Sequence, residues 1–438
     1  MSNTSAGRSK WPYVPLTTVA EKIQDGTHFS PLSTSGPFRY VTSRNIRPGY
    51  LDLESCGWIS EREHKAIFRR CDPRYGDILL TKDGANTGNA SINTLHEEIS
   101  LLSSVAMIRT DPTVADGHFV LQYLLSPEGQ TRLTDLVSGN AITRLTLAKI
   151  KAFSIPSAPL PEQRAIAAVL DSLDDAIQKT EQIIAKLQQV KQGLLHDLLT
   201  RGIDDNGELR DPERHPEQFQ DSPLGRIPKG WRIVQLQALL EHVIDYRGRT
   251  PLKLGMRWGS GEIPALSAMN VQMGRIDLSR ETYFGSDALY RRWMTDGDVK
   301  RGDIIITLEA PLGNVAQVSD ERRYILSQRV VLLRFRRMDI SNDFAAWQMR
   351  SDPIQRQLVR WSTGTTATGI QRAKLNLIPL LVPSLTEQSS VTILLHCHEA
   401  HITAQSLELE KLRELKVGLS DDLLTGRVRT TSLPGFSA

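Results

Sequence analysis

The chain has 438 residues, with 53 Lys and Arg side chains against 50 Asp and Glu and a formal net charge of +3. At 40% hydrophobic and 24% charged residues, its composition is that of a soluble globular protein, which excludes a fibrous or largely disordered chain. Three widely spaced cysteines argue against a disulfide framework, and neither a secretory leader nor an apolar run long enough to span a membrane is evident, so we expect a cytoplasmic protein.

The first part of the chain, residues 11–158, is predicted to be a globular domain of mixed β and α structure. Short apolar runs follow turn residues in GDILLT, which begins at Gly76, and at residues 105–108, and this pattern is typical of strands. Residues 118–125 have the pattern of a helix.

A long helix is predicted over residues 159–205. Its apolar residues recur in alternating steps of four and three for about 38 residues, which is the seam of a coiled coil. Pro161 stands in the first turn, where a missing N–H costs little. At 1.5 Å per residue this helix would be about 57 Å long.

The second part of the chain repeats this order. We predict a linker at 206–230, a second globular domain at 231–383, a second helix at 384–428 and a C-terminal tail at 429–438. Strand patterns recur in GDIIIT, which begins at Gly302, and at residues 330–333, and residues 344–349 look helical. Ser384 and Glu387 have capping-box spacing at the start of the second helix.

The chain is similar to itself at one offset. LPEQ at Leu160 returns as LTEQ at Leu385, and LLHDLLT ending at Thr200 returns as LSDDLLT ending at Thr425, each 225 residues later. This predicts an internal, pseudo-two-fold duplication: two α+β domains, each followed by a long helix, with the two helices pairing as an antiparallel coiled coil. The alternative is two unrelated core helices.

Charge is distributed unevenly along the chain. The first globular domain carries 15 basic and 15 acidic side chains, whereas the second carries 22 basic and 15 acidic, and 19 of those 22 are Arg. Both helical segments are net negative. Since Arg suits phosphates and guanine edges, this pattern favours a polyanion partner for the globular domains and a protein partner for the helices. A solvated Arg-rich surface is the alternative.

No catalytic motif is found. The chain lacks a phosphate-binding loop, a nucleophile elbow and an H-E-x-x-H zinc motif. Asp77 with Lys82 would suggest a metal nuclease, but the second copy has Leu308 in place of the lysine. A candidate metal-ligand cluster in the second helix consists of His396, Cys397, His398 and His401. The first copy has no soft ligands at the corresponding positions, and His398 falls on the heptad seam. We therefore predict neither catalytic nor metal-binding residues.

The helical segments resemble those of one family, the DNA-specificity subunits of type I restriction-modification enzymes. The matching segments are APLPEQRAIAAVLDSLDDAI from Ala158, KLQQVKQGLLHDLLTRG from Lys186, and PSLTEQ with KLRELKVGLSDDLLTG in the second copy. The linker QDSPLGRIPKGW, which ends at Trp231, is similar to the family's approach to its second recognition domain. One departure is SSVTILLHCHEAHI, where the second helix lacks the Arg-Ala-Ile-Ala of the first.

The resemblance implies a non-catalytic subunit that reads a split, asymmetric site in double-stranded DNA, one half per globular domain. It also implies that two methyltransferase subunits and motor-nuclease restriction subunits dock around the helices. These partners would bring S-adenosylmethionine, ATP and Mg²⁺, so no cofactor is expected on this chain. Docking is expected at Glu162, Gln163, Glu387 and Gln388.

Candidate DNA contacts are polar residues in turns where both copies break the strand pattern, because Asn can read adenine and Arg can read guanine. They are Arg44, Asn45, Lys82, Asn86, Asn140 and Arg144 in the first domain, and Arg247, Arg249, Asn270, Asn314, Thr365 and Arg372 in the second. Asn45 and Asn270, present in both copies, are equally well explained as turn residues.

Two rival functions remain open. One is a coiled-coil adaptor whose domains bind proteins rather than DNA. The other is a stand-alone nuclease, which would show Mg²⁺-dependent cutting by the purified chain.

Overall fold

The structure, a computed structural model, describes residues 11–137, 144–259, 261–364 and 368–430. The chain divides into two units. The first contains the described residues up to Ile183 together with those from Gln405 onward, and the second is Ile184–Ala404. Each unit therefore combines one globular domain with part of both long helices.

The first domain is an α+β domain of short strands and four helices in its described residues. Its elements are β1 Tyr13–Pro15, β2 Ala20–Asp25, β3 Phe38–Val41, β4 Ile46–Arg47, β5 Tyr50–Leu51, β6 Gly57–Ile59, α1 Glu61–Phe68, β7 Ile78–Thr81, β8 Ala90–Ile92, β9 Ile99–Leu101, β10 Val105–Thr110, α2 Gly117–Leu125, α3 Pro127–Leu136, α4 Leu147–Ala152 and β11 Ser154–Pro156. The first long helix, α5, follows at Leu160–Thr200.

Two sheets form the centre of the first domain. One is four-stranded with the order β2-β10-β7-β8, and the other has the order β6-β3-β9. Strand β7 is buried along its whole length because it packs on both faces. Ile78 and Leu80 join the core beneath α2, whereas Leu79 joins the core on the side of β3 and β9. The strands predicted at GDILLT and at residues 105–108, and the helix predicted at 118–125, are confirmed as β7, β10 and α2.

The second domain begins after a short hairpin, β12 Phe219–Ser222 with β13 Gly225–Pro228, which lies inside the predicted linker. The domain's elements are β14 Arg232–Gln235, α6 Leu236–Leu239, β15 Leu240–Ile244, β16 Ile263–Leu266, β17 Val271–Gln272, β18 Arg275–Ile276, β19 Tyr283–Gly285, α7 Asp287–Trp293, β20 Ile304–Leu308, β21 Leu312–Gln317, β22 Ile325–Leu326, β23 Val330–Phe335, α8 Asn342–Arg350, α9 Asp352–Arg360, α10 Arg372–Asn376 and β24 Pro379–Val382. The second long helix, α11, spans Leu385–Leu424.

The sheets of the second domain have the orders β15-β23-β20-β21 and β19-β16-β22. The four-stranded sheet thus repeats the strand order of its counterpart in the first domain. Ile304 and Ile306 of β20 face one core cluster and Ile305 faces the other, so this strand is also buried on both sides. The strands predicted at GDIIIT and at 330–333, and the helix predicted at 344–349, are confirmed as β20, β23 and α8.

The two long helices pack together along the predicted seam. In the first unit, Asp174 of α5 pairs with Lys416 of α11, and Glu181 lies 2.6 Å from Arg413. Because residue numbers rise along one helix as they fall along the other, the helices run antiparallel. The predicted seam residues Ile166 and Leu170 are fully buried there, among the apolar residues of the domain core.

The same pairing occurs in the second unit. Lys191 of α5 pairs with Glu399 of α11, and His398 Nε2 lies 2.8 Å from the backbone oxygen of Leu187. The apolar seam residues Val391 and Leu395 are buried in the core cluster of the second domain. The predicted pairing of the two helices is confirmed.

No helix in the described part of the chain is long and apolar enough to cross a membrane.

Candidate nucleic-acid interface

One edge of the first four-stranded sheet carries a cluster of charged residues. Strands β2 and β7 both pair antiparallel with β10, so they end at the same edge. There Asp25, 3% exposed, accepts a hydrogen bond from Arg70 Nη2 at 2.8 Å and lies 3.4 Å from Lys82 Nζ. Asp83 lies 3.2 Å from Lys82 Nζ and 3.3 Å from Arg144 Nε. We call these five residues the first polar cluster.

The matching edge of the second sheet carries the second polar cluster, which consists of Asp245, Arg247, Glu309 and Arg329. Asp245 follows β15 and accepts two hydrogen bonds from Arg247, at 2.9 Å from Nε and 2.7 Å from Nη2. Glu309 follows β20 and lies 3.7 Å from Arg329 Nε. Each domain therefore places acidic residues at the same two strand ends and pairs them with arginines.

The Asp245–Arg247 pair is fixed in its charged form. Burial would raise the pKa of Asp245, but the hydrogen bonds from Arg247 outweigh burial and hold that pKa below its ordinary value. The same hydrogen bonds raise the pKa of the Arg247 guanidinium against the effect of burial. At neutral pH, Arg247 is thus held in one orientation by a charged partner.

The two clusters differ in where the cation comes from. Lys82, 2% exposed, stands at the end of β7, whereas Leu308 stands at the corresponding end of β20. The N–H of Lys82 donates to the Ser104 carbonyl, and the N–H of Leu308 donates to the Arg329 carbonyl, so Ser104 and Arg329 are in equivalent positions. A buried lysine on the strand in one domain is therefore replaced by an arginine on the neighbouring loop in the other.

Two of the predicted DNA contacts, Asn45 and Asn270, are buried in turns. The side-chain oxygen of Asn45 accepts from the Thr42 N–H at 2.9 Å, and its amide donates to the Asp52 carbonyl at 3.0 Å. Asn270, fully buried, accepts from the Ser267 N–H at 3.2 Å. Its amide lies 3.5 Å from the Asp277 carbonyl, the counterpart of the Asp52 carbonyl, and donates to the Thr282 hydroxyl at 2.8 Å. Of the two interpretations left open by the sequence, these contacts favour turn residues.

Two further asparagines brace the same turns from a neighbouring strand or loop. Asn86 Nδ2 lies 3.5 Å from the Ser43 carbonyl, and Asn314 Nδ2 donates to the Val271 carbonyl at 2.9 Å. Both side chains are only half-buried, so one face of each remains open to solvent.

The remaining predicted contacts are arginines at the surface. Arg44 is exposed in the turn before β4, and Arg372 is exposed at the first residue of α10. Arg249 is half-buried, donates to the Trp293 carbonyl at 2.6 Å and lies over the Tyr246 ring. Asn140 and Thr365 lie outside the described residues.

Sequence reasoning missed Arg70 and Arg329. Arg329 lines a cavity of about 490 Å³ together with Arg249, Trp258 and Tyr283. Its counterpart in the first copy is Ser104, so no polar residue shared by the two copies marks this position. Arg70 follows α1 and reaches Asp25 across 45 residues of sequence, a contact that no local pattern signals.

Among the residues expected to dock partner subunits, Glu162 ties the start of α5 to the segment that follows α11, and Gln163 ties it to the first domain. Glu162, 6% exposed, accepts hydrogen bonds from Arg429 Nε at 3.1 Å and from the Thr430 N–H at 2.7 Å. Gln163, 3% exposed, accepts from the Asp116 N–H and donates to the Ala158 carbonyl.

Glu387 and Gln388 do the same for α11 and the second domain. Glu387 accepts hydrogen bonds from Arg210, from the Ile203 N–H and from Trp231 Nε1. Gln388 is fully buried between the Ser341 N–H and the Pro383 carbonyl. All four side chains are thus engaged by other residues of this chain, and docking of partner subunits at them stays a prediction.

The histidine-rich stretch of α11 forms no ligand set. His398 reaches the Leu187 carbonyl, His396 packs near the Trp347 ring, and Cys397 is exposed. Across the described ranges, no group of three or more His, Cys, Asp and Glu side chains is placed to hold a metal ion.

The sequence matches one known family. Residues 9–189 match the type I restriction modification DNA specificity domain. Over 404 residues, the chain is 25% identical to the type I restriction enzyme MjaVIII specificity subunit of Methanocaldococcus jannaschii, a match that covers 91% of this chain and 88% of that relative.

Two solved structures share the fold. The S subunit of the type I restriction-modification system from M. genitalium superposes with a TM-score of 0.59 at 14% identity, covering 97% of each chain. A chain from a structure that addresses complex assembly and conformational transition of the type I restriction-modification system gives a TM-score of 0.54 at 16% identity, covering 95% of this chain and 98% of that one.

Proposed function

We propose that this chain, which belongs to the DNA-specificity subunits of type I restriction-modification enzymes, reads a bipartite, asymmetric DNA site with one half per globular domain. Members of this family are non-catalytic subunits, and the chain is accordingly not an enzyme. The observation that carries the proposal is that equivalent sheet edges in the two domains bear different polar side chains. Two domains that share a fold but present different side chains to DNA would recognise half-sites of different sequence.

In the first domain we assign base contact to exposed Arg144 and Arg44, and positioning to buried Lys82. Arg144 is 57% exposed yet is held by Asp83, so it can reach a base edge in a defined orientation. Lys82 lies between Asp25 and Asp83 at 2% exposure and cannot itself reach DNA. Its charge instead compensates the two carboxylates behind the interface.

In the second domain we assign DNA contact to Arg247, Arg249 and Arg372. Arg247 is oriented by Asp245, and Arg249 is oriented by the Trp293 carbonyl and the Tyr246 ring. The excess of arginine in residues 231–383 favours the approach of a polyanion to this domain.

We place the docking of two methyltransferase subunits and of the restriction subunits on the outer faces of the helices. Ile393 and Leu394 of α11 are 59% and 46% exposed, which is apolar surface that the seam does not use. S-adenosylmethionine, ATP and Mg²⁺ would then belong to the partners, and the assembly would act in the cytoplasm, where the DNA is.

We also propose that the two halves arose by internal duplication. The support is the shared order of the two four-stranded sheets together with the constant sequence offset. Each copy would then consist of one globular domain, 11–158 or 231–383, followed by one helical spacer, 159–205 or 384–428.

The direct test is selection of duplexes from a random library by the purified complex of this chain with its methyltransferase subunits. We expect enrichment of two short fixed blocks separated by a constant gap. Enrichment without sequence preference would contradict the proposal and favour the protein-binding adaptor. Cutting of DNA by the chain alone with Mg²⁺ would favour the nuclease.

A further inference from the structure

We propose that Arg329 is a specificity-determining residue of the second domain, that it reads a guanine, and that Glu309 positions it. The inference rests on the proposed function and deepens it, because it names the base class that one side chain recognises.

The charge around Arg329 favours a base over a phosphate. Its Nε lies 3.7 Å from Glu309, whose carboxylate also interacts with the Arg247 guanidinium. A phosphate that approached Arg329 would also approach Glu309, and the two negative charges would repel each other. The major-groove edge of guanine is uncharged and presents two acceptors, N7 and O6, which match the arginine fork.

The position of Arg329 favours a contact with a DNA base over a structural role inside the domain. The side chain is 49% exposed, and its Nε lies 3.7 Å from a carboxylate oxygen of Glu309, an ion-pair contact that favours orientations of the guanidinium near this carboxylate. In the first domain, Asp83 stands at the corresponding strand end and holds Arg144, which is 57% exposed. The acidic residue at this strand end thus contacts a half-exposed arginine in each domain, and that arginine comes from a different place in the chain.

The backbone of Arg329 is also unusual. Its φ is +66°, in the left-handed region that glycine adopts freely and that other residues rarely adopt. The Leu308 N–H donates to the Arg329 carbonyl at 2.9 Å and ties this conformation to the end of β20. Strained residues that the fold holds in place occur preferentially at functional sites.

Apolar and aromatic side chains complete the recess beside Arg329. Trp258 and Tyr283, whose ring centroids are 6.1 Å apart, line the same cavity as Met269, which is 50% exposed. With DNA bound, we expect this wall to reduce the access of water to the arginine fork and so to strengthen its discrimination between bases.

The test measures binding of the full chain, in complex with its methyltransferase subunits, to duplexes that carry each of the four base pairs at every position of the second half-site. We expect one position at which the wild-type complex requires guanine. Arg329→Ala should reduce that preference about tenfold or more while leaving the first half-site unchanged. Arg329→Lys, which keeps the charge but loses the fork, should lose the same preference and keep the overall affinity.

The matched control is Arg322→Ala, since Arg322 is similarly exposed at 66% and lies 3.4 Å from Asp320. It should leave all base preferences unchanged. A uniform loss of affinity in Arg329→Ala, with a salt dependence weaker by about one phosphate contact, would overturn the inference, as would a second half-site with no required guanine. Unchanged preferences in both Arg329 variants would also overturn it. If the wild-type complex selects no two-part site at all, the proposed function itself fails.

Discussion

A glycine packs closely against a tryptophan ring at the end of each long helix. At Gly202, just after α5, φ is +62°, and a Cβ atom would lie 2.4 Å from a ring carbon of Trp231 and 2.2 Å from a carboxylate oxygen of Glu387. At Gly426, just after α11, φ is +70°, and a Cβ atom would lie 2.5 Å from the Trp11 ring. Only a residue without a side chain fits at either position.

We predict that Gly202→Ala destabilises the second unit by about 2–4 kcal/mol, from backbone strain together with the clash against Trp231. Thermal or chemical unfolding measures the effect. The control is Gly193→Ala, inside the C-terminal part of α5, where a Cβ atom meets nothing within 4 Å. That change should instead stabilise the chain by about 1 kcal/mol. Equal effects of the two substitutions would show that the contact with Trp231 is unimportant.

Single residues were the hardest feature to predict from the sequence. The sequence correctly placed Asn45 and Asn270 in equivalent turns. Only the structure shows that their side-chain amides form hydrogen bonds within those turns. Likewise, the repeated Glu-Gln pair at the helix starts marks a family feature, but its burial depends on Arg429 and Arg210, which lie far away in sequence. Contacts of this range leave no periodic signal.

At the scale of elements, α2 is held against α5 by polar contacts. Gln122 donates to Asp171 and to Asp174, each at 2.7 Å, and His118 Nδ1 lies 2.6 Å from Asp171. The hydrogen bond to Asp171 raises the pKa of His118 above its ordinary value. The charged pair therefore stabilises the fold fully below the unfolded-state pKa of about 6.5, and this contribution is lost as the pH rises through the raised folded-state pKa.

We predict that His118→Gln lowers the free energy of unfolding more at pH 5.5 than at pH 9. The difference should stay below about 1 kcal/mol, because the pair is half exposed and water screens it. Chemical denaturation at the two pH values measures it, with His401→Gln, on the exposed surface of α11, as the control that keeps the wild-type pH dependence. A larger loss at pH 9 than at pH 5.5 would reverse the sign and refute the account of this contact.

The two long helices were the elements most fully predicted from the sequence, because their heptad pattern is long. A heptad pattern sustained over about ten turns predicts that the segment is a helix, which of its faces is buried and that it pairs with another helix. The prediction is strong because a shift of the pattern by one residue would move the apolar side chains away from the partner. The predicted capping box is only half realised. Ser384 accepts from the Glu387 N–H, but the Glu387 side chain turns to Arg210 and Trp231 instead of back to the cap.

At the scale of the whole molecule, the net charge of +3 conceals two unlike domains. The first domain is neutral by sequence and buries Lys82 between carboxylates, whereas the second carries an excess of seven basic residues, nearly all arginine. We expect the second domain to supply most of the salt-dependent attraction to DNA, and the docked partners to supply the rest for the first domain.

The central claim is that the two domains read the two halves of one site independently, and exchange of a domain tests this most directly. Residues 231–383 would be replaced by the second recognition domain of a specificity subunit with a different site, and the adenines methylated by the assembled complex would be mapped. The account predicts a two-part motif that keeps the original first half and takes the donor's second half. A motif in which both halves change, or in which neither does, would contradict it.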